Sequence, residues 1–374
     1  MSHYNDILSR AVVSLPRHDF FTMLRLVHLL DRISRLPSYR ALVAPLVPEV
    51  ARFDPGHDAV MMCYDFHQTD QGSKLIEVNT NAGGSLPAYL ADRQTTEAMT
   101  TGLPANQKRK LLGQFFEEYR CFAGDVSLSP QRLVILDERP EEQFLFHEMQ
   151  LFAELFREAG IKAFVADPSE LKASADGVFL EGAPVDMIYN RHCDFYLETE
   201  AMAGLRAAYL AKQVCLSPNP FVYGLLADKR RLTLWPDPDF AGQVGLTEQE
   251  TALLQQTIPQ SRLLVDLDTD EAWAGRRKSV FKPVARFGSR GVLLGEKISR
   301  KRFNELEPGE TLVQELVPPS VTEVPGHEPM KTDFRVYAYR NRVLGITARL
   351  YRGQVTNLRT EGGGFARVAV TSNK

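Results

Sequence analysis

Residues 61–85 read "MMCYDFHQTDQGSKLIEVNTNAGGS", and the strand-like run "KLIEVN" within them ends in a carboxylate and amides where a solvent-facing strand would carry lysines. Asp65, Glu77, Asn79 and Asn81 surround a short turn that finishes in two glycines. A hard cation such as Mg²⁺ takes carboxylate and amide oxygens and keeps the rest of its shell for water and phosphate. These residues therefore suit a cation site at the tip of a hairpin, and they suit equally a polar hairpin tip facing water.

The bulk composition narrows the partner. A chain of 374 residues can form two or three domains around a large core without disulfides or a structural metal. Acidic residues number 47 against 44 basic ones, so no strong field favours nucleic acid or a membrane surface, and a small partner is expected. Cys63, Cys121, Cys193 and Cys215 are scattered with no C-x-x-C pair, which argues against zinc and against a disulfide framework. They read as thiols of a reducing compartment. "MSHYNDILSR" lacks a basic and apolar leader, and no stretch approaches the roughly eighteen uninterrupted apolar residues of a membrane helix. A cytoplasmic enzyme is expected.

Along the chain, the first forty-odd residues read as helical, with Phe20, Leu24, Val27, Leu30 and Ile33 at helix spacing. Strands are predicted at Ala59–Phe66 and Lys74–Asn79, joined as a hairpin by "HQTDQG". From Arg132 to Pro220 the rhythm becomes strand, helix closed by Gly160, strand, strand: a small parallel α/β domain. Beyond Lys229 come a helix, the strand-rich "SVFKPVARFGSRGVLL", a short helix near "SRKRFNEL", and antiparallel strands to the end. "PPSVTEVPGHEP" (318–329) reads as a long loop.

Two further stretches carry chemistry. In "VFKPVARFGSRGV", Lys282 ends an apolar strand and is followed by a glycine turn, Gly288 to Gly291. An ammonium on a strand can reach phosphates, and glycines let backbone N–H groups approach phosphate oxygens unobstructed. The Walker spacing is absent. "TLVQELV" (311–317) reads as a strand whose polar residues are Gln314 and Glu315.

Taken together, "FKPVARFGSRGV", "LVQELV", "DFRVYAYRNRVLGITARLYRG" and "TNLRTEGGG" resemble the ATP-grasp ligases, closest to bacterial enzymes that add glutamate to a ribosomal protein's tail. In those enzymes the metal-binding segment, Asp, eleven residues, Glu-x-Asn, follows the other motifs; here Asp65, Glu77 and Asn79 have that spacing but come first. The order is circularly permuted. Glutathionylspermidine synthetases share it, and their "DFH…EVN" region is similar to "YDFHQTDQGSKLIEVN".

The resemblance implies an α/β fold of the ATP-grasp (α+β) kind. It divides the chain into an N-terminal segment with the permuted metal-binding part (1–110), a parallel α/β substrate domain (111–225) and nucleotide-binding lobes (226–374) with a lid at about 278–316. It implies ATP and Mg²⁺, two ions at Asp65, Glu77 and Asn79, with Mn²⁺ as an alternative. Lys282, Lys229, Gly288, Ser289 and Gly291 would meet phosphates; Gln314, Glu315 and Leu316 would form the adenine hinge; Asp333 would meet the ribose. Arg335 and Arg349 would face the transferring phosphoryl group, with Asn357 beside it.

The implied activity joins a small-molecule or peptide carboxylate to an amine, or to a thiol, through an acyl phosphate, with no nucleic acid or membrane partner. A phosphotransferase and a non-catalytic ATP-binding protein are the alternatives. Asn81 and Arg191 are candidate substrate contacts; Arg191 reads equally as a surface arginine paired with Asp194 or Glu198. Val355 and Cys63 stand where the two resembled families carry arginine, so neither family's substrate transfers to this chain.

Overall fold

The computed structural model describes residues 7–93, 103–285 and 291–372. Its largest sheet is woven from both sides of the chain. The N-terminal side supplies β1 (Leu8–Pro16), β2 (Met62–Thr69) and β3 (Gly72–Asn79); the C-terminal side supplies β15 (Ser320–Thr322), β16 (Met330–Tyr339), β17 (Arg342–Tyr351) and β18 (Gly364–Thr371). The order is β1-β18-β17-β16-β2-β3, with β15 also on β16. β1 runs parallel to β18, and the other pairs are antiparallel.

Three expectations are corrected here. "LSRAVVSLP" is a strand, not helix: Ser9, Ala11, Val13 and Leu15 turn inward in the alternation of a half-buried strand, and the helix starts only at Arg17. β2 and β3 turn at Asp70 and Gln71, so Asp65, Glu77 and Asn79 sit toward the open end of the hairpin, away from its tip. The 318–329 stretch is not all loop, because Ser320–Thr322 pairs with β16.

The middle of the chain forms the parallel sheet that its alternation predicts: β4 (Arg132–Leu136), β5 (Lys162–Ala166), β9 (Met187–Asn190) and β10 (Cys215–Ser217), ordered β10-β9-β4-β5. A short antiparallel excursion, β6 (Leu171–Ser174), β7 (Gly177–Leu180) and β8 (Ala183–Pro184), lies between β5 and β9. The last sheet is antiparallel: β11 (Ser261–Leu263), β12 (Ser279–Pro283), β13 (Leu293–Leu294) and β14 (Thr311–Glu315), ordered β11-β14-β12-β13. It closes over its own small core of Leu264, Phe281, Ile298, Phe303 and Val313. The architecture is mixed α/β, with parallel and antiparallel sheets.

Two cores hold the large sheet. The helix Arg17–Ser34 buries Met23, Leu26, Val27, Leu30 and Ile33 in a core shared with Tyr64, Phe66, Phe334 and Val336. Its buried Asp19 accepts hydrogen bonds from Ser73 Oγ (3.0 Å) and Gln68 Nε2 (3.3 Å), which pins the helix to the hairpin. The second core joins Cys63, Tyr337 and Phe365 to the parallel α/β unit through Phe115, Phe152, Phe156 and Tyr189. Phe115 meets Phe156 and Tyr189 edge-on at 5.0 and 4.9 Å between centroids, and such pairs add about 0.5–1.5 kcal/mol each beyond area burial. No helix among the described residues is long and apolar enough to cross a membrane.

Candidate active site

The β16–β2 pairing sets Arg335 opposite Asp65, and the β2–β3 pairing sets Asp65 opposite Glu77. A register shift follows Asp65 in the hairpin, the kind of irregularity that re-aims side chains. Arg335 donates from Nε to Asp65 Oδ1 and from Nη2 to Oδ2, both at 2.7 Å. Arg349 Nη2 adds a contact to Asp65 Oδ2 at 3.0 Å, while its Nε donates to Asp333 Oδ1 at 2.6 Å. Burial alone would raise the Asp65 carboxyl, but the two guanidiniums outweigh it and hold the group well below the usual carboxylate range. Asp333 is itself buried and takes a second bond from Thr356 Oγ1 at 2.6 Å.

The three residues with metal-ligand spacing are therefore unequal. Asn79 Nδ2 lies 3.3 Å from both Asp65 Oδ2 and Glu77 Oε1, so the set is together. Among the described residues, no three His, Cys, Asp or Glu side chains group closely enough to hold a metal ion by themselves. Glu77 and Asn79 line the cleft and offer a carboxylate and an amide oxygen, a donor set that fits a hard cation. Asp65 Oδ2 is saturated by Arg335, Arg349 and Asn79; only Oδ1, with one bond accepted, keeps a lone pair to offer.

Lys282, on β12, is buried and donates to Gln314 Oε1 on β14 at 2.6 Å and to the Ile76 carbonyl of β3 at 3.1 Å. Gln314 in turn donates from Nε2 to Ser261 Oγ at 3.2 Å. This chain of bonds ties the small antiparallel sheet to the hairpin beside Glu77. Burial pushes the Lys282 ammonium down to about 8; Glu77 and Asp65 oppose that shift and Lys229 adds to it.

Glu315 and Leu316, expected at an adenine hinge, have their backbone N–H groups engaged within the protein: Glu315 N donates to the Gln260 carbonyl and Leu316 N to the Lys278 carbonyl, each at 2.8 Å. Gly291 adopts φ +77, whereas Gly288 and Ser289 lie outside the described residues.

The segment after β3 explains the two glycines. Asn81 Nδ2 donates to the Asn190 and His192 carbonyls at 3.1 and 2.9 Å, fastening the cleft to the parallel unit. Glu148, fully buried, accepts from Gly84 N (2.8 Å), Leu86 N (3.0 Å) and Ser85 Oγ (3.2 Å) at the start of the helix Ser85–Arg93. Arg191 is no surface residue: it is buried and donates from Nη1 to Glu148 Oε2 at 3.2 Å, pairing with neither Asp194 nor Glu198. A Cβ on Gly83 would stand 2.1 Å from Arg191 Nη2. Gly84, at φ +96, would press its Cβ to 2.4 Å from the Phe365 ring. Only glycine fits at either position.

These residues frame a cleft of about 240 Å³ lined by Glu77, Asn79, Asn81, Lys229, Arg335 and Arg349. A solved structure shares this fold. A chain from Methylobacillus flagellatus KT, a proposed gamma-glutamylcysteine synthetase, matches with a TM-score of 0.51, covering 91% of this chain and 84% of that one at 11% identity. No protein-family model matches the chain, and no curated protein matches it in sequence.

Sequence reading missed part of the lining. Thr356 and Leu358 face the cleft, while Asn357 between them is exposed and its Oδ1 accepts from Arg359 N at 3.0 Å. Phe195 and Tyr223, stacked at 4.3 Å and 12°, form another wall with Cys193. No motif marks them; they arrive from the parallel unit and the segment after it. Cys63 is buried behind the site, where burial pushes its thiol up to about 12.

Proposed function

We propose that the protein is an ATP-dependent ligase of the ATP-grasp type, with its metal-binding segment permuted to the N-terminal side, that joins a carboxylate to an amine or thiol. The observation that carries this reading is the convergence of Lys229, Arg335 and Arg349 on the same cleft as Glu77 and Asn79, with Lys282 reaching the hairpin behind them. The resemblance of the motifs and the fold shared with a proposed synthetase support it. In this reading the domain limits fall near residues 110 and 225, and the small antiparallel sheet is the lid over about 278–316.

Lys282 and Lys229 would hold the polyphosphate, and Arg335 and Arg349, kept in place by Asp65 and Asp333, would neutralise charge on the transferring group. A carboxylate oxygen attacks the γ-phosphorus and ADP departs. The amine nitrogen then attacks the acyl carbon, phosphate leaves, and the nitrogen loses its proton. Glu77 and Asn79 would hold Mg²⁺, which when bound supplies charge neutralisation at the phosphates.

The test is phosphate release by purified protein with MgATP against pooled acids and amines. Release that requires both an acid and an amine supports ligation. A phosphorylated product with no free phosphate would replace the ligase reading by a phosphotransferase one.

A further inference from the structure

The connection between β17 and β18, residues 352–363, forms a strap along the cleft. Its middle alternates: Thr356 and Leu358 line the cleft, and Asn357 between them is exposed. The strap is braced from within. Arg352 N donates to Thr360 Oγ1 at 3.1 Å, Thr360 Oγ1 donates to the Asn357 carbonyl at 3.1 Å, and Gly363 N donates to the Thr360 carbonyl at 2.9 Å. On its far side Leu358 packs against the second core, and the Arg359 guanidinium lies over the Phe144 ring, 5.1 Å from its centroid. Phe144 precedes the helix Phe146–Glu158, so the strap joins the large sheet to the parallel unit.

Thr356 also ties the strap to the charges of the site. Its Oγ1 donates to Asp333 Oδ2 at 2.6 Å, while Asp333 Oδ1 accepts from Arg349 Nε at 2.6 Å. Arg349 Nη2 lies 3.0 Å from Asp65 Oδ2, the oxygen that Arg335 Nη2 holds at 2.7 Å. One run of contacts therefore passes from Thr356 through Asp333, Arg349 and Asp65 to Arg335, and three of its members, Thr356, Arg349 and Arg335, line the cleft.

The hydroxyl decides how Arg349 is shared. Asp333 is only 2% exposed, and a carboxylate so buried is costly unless both oxygens have donors. With Thr356 on Oδ2, Arg349 meets Asp333 through Nε and keeps Nη2 for Asp65. Without the hydroxyl, the carboxylate regains a donor by drawing in a second guanidinium nitrogen, because the planar fork of arginine fits a carboxylate at two points. Arg349 would then turn toward Asp333, away from Asp65 and the cleft.

We infer that Thr356 is a positioning residue for the terminal phosphate of ATP: through Asp333 it sets the direction in which Arg349 presents its guanidinium to the cleft. The inference rests on the ATP-dependent reading of that cleft. Its reach is confined to the γ-phosphate, since the lysines that would hold the rest of the polyphosphate lie on other elements.

The experiment is calorimetric titration of the full chain with MgATP and with MgADP, which lacks the phosphate that Arg349 would face. The wild type should bind MgATP the more tightly. Thr356→Val, which replaces the hydroxyl by a methyl group of similar size, should lower MgATP affinity by about tenfold, as the loss of one charged hydrogen bond allows, and leave MgADP affinity within about twofold. Thr356→Ser, which keeps the hydroxyl, should retain the wild-type ratio. If Thr356→Val does not fold, Thr356→Ala, which leaves room beside Asp333, is read in the same way. Equal losses for the two nucleotides would make Thr356 merely structural and overturn the inference, as would an unchanged ratio in folded Thr356→Val or Thr356→Ala, a ratio lost in Thr356→Ser, or a wild type without preference for MgATP. In each of those cases nucleotide binding by the wild type leaves the ligase reading standing; a wild type that binds neither nucleotide removes that reading itself.

Discussion

Arg335 grips Asp65 at two points, Nε on Oδ1 and Nη2 on Oδ2, each at 2.7 Å, although 270 residues separate them in the chain. Asp65 is buried, the Arg335 side chain nearly so, and Arg349 shares the carboxylate. Removing one member of such a pair leaves an uncompensated buried charge, at a cost of about 3–5 kcal/mol. Asp65→Asn should therefore lower stability in denaturant titration by about that amount. A loss under about 1 kcal/mol would show that water reaches the two guanidiniums.

Glu77 and Lys282 should separate binding from turnover. Glu77→Gln keeps size but removes the charge facing the cleft, so nucleotide titration should change little while phosphoryl transfer slows at limiting Mg²⁺. Lys282→Ala should weaken ATP binding itself by about ten- to a hundredfold, the worth of a charged hydrogen bond to phosphate. Unimpaired turnover of Glu77→Gln at limiting Mg²⁺ would take that residue out of the metal site.

Lys282 also predicts a pH dependence of stability. Its folded-state pKa, near 8, lies below the ordinary lysine value of about 10.4, so between these values the unfolded chain holds a proton that the folded chain has released. Stability must then rise with pH across that window. Chemical denaturation at pH 7.5 and 10 should show Lys282→Met losing this gain relative to the wild type; identical pH profiles would mean that the ammonium is not desolvated.

Two glycines make a contrasting pair. Gly83→Ala drives a Cβ to 2.1 Å from Arg191 Nη2 and 2.8 Å from Glu148 Oε2, both held in a buried network, and should destabilise by about 1–3 kcal/mol. Gly113, inside the helix Ala105–Ala123, has nothing within 4 Å of the place an added methyl group would take, and Gly113→Ala should stabilise by about 0.5–1 kcal/mol. Thermal melts read both, and the two shifts should have opposite signs.

What could be read in the sequence was local. The spacing of Asp65, Glu77 and Asn79 suits a cation, the resemblance implies that Gln314 and Glu315 belong to the same site, and the alternation after Arg132 predicts a parallel sheet; Asp65 and Asn79, and Lys282 and Gln314, do meet. What could not be read depends on partners brought from far along the chain. β1 looks like the start of a helix until β18 lies beside it, and Asp65 looks like a free ligand until two arginines on β16 and β17 claim it. Arg191 has acidic neighbours in sequence, yet it pairs with Glu148, 43 residues away, close beside Gly83.

The weaving of the large sheet has a bearing on how the chain acquires it. β18 lies between β1 and β17, and Ser9 Oγ donates to the Gly362 carbonyl across 353 residues. During synthesis, β1 and the β2–β3 hairpin emerge first and wait with open edges for partners made last. The parallel unit, whose strands are close in sequence, can assemble in the meantime. Pairings of such long range are entropically costly to close and slow to form. Closure of the cleft is thus a late event of folding, since Asp65 gains Arg335 only when β16 has docked on β2.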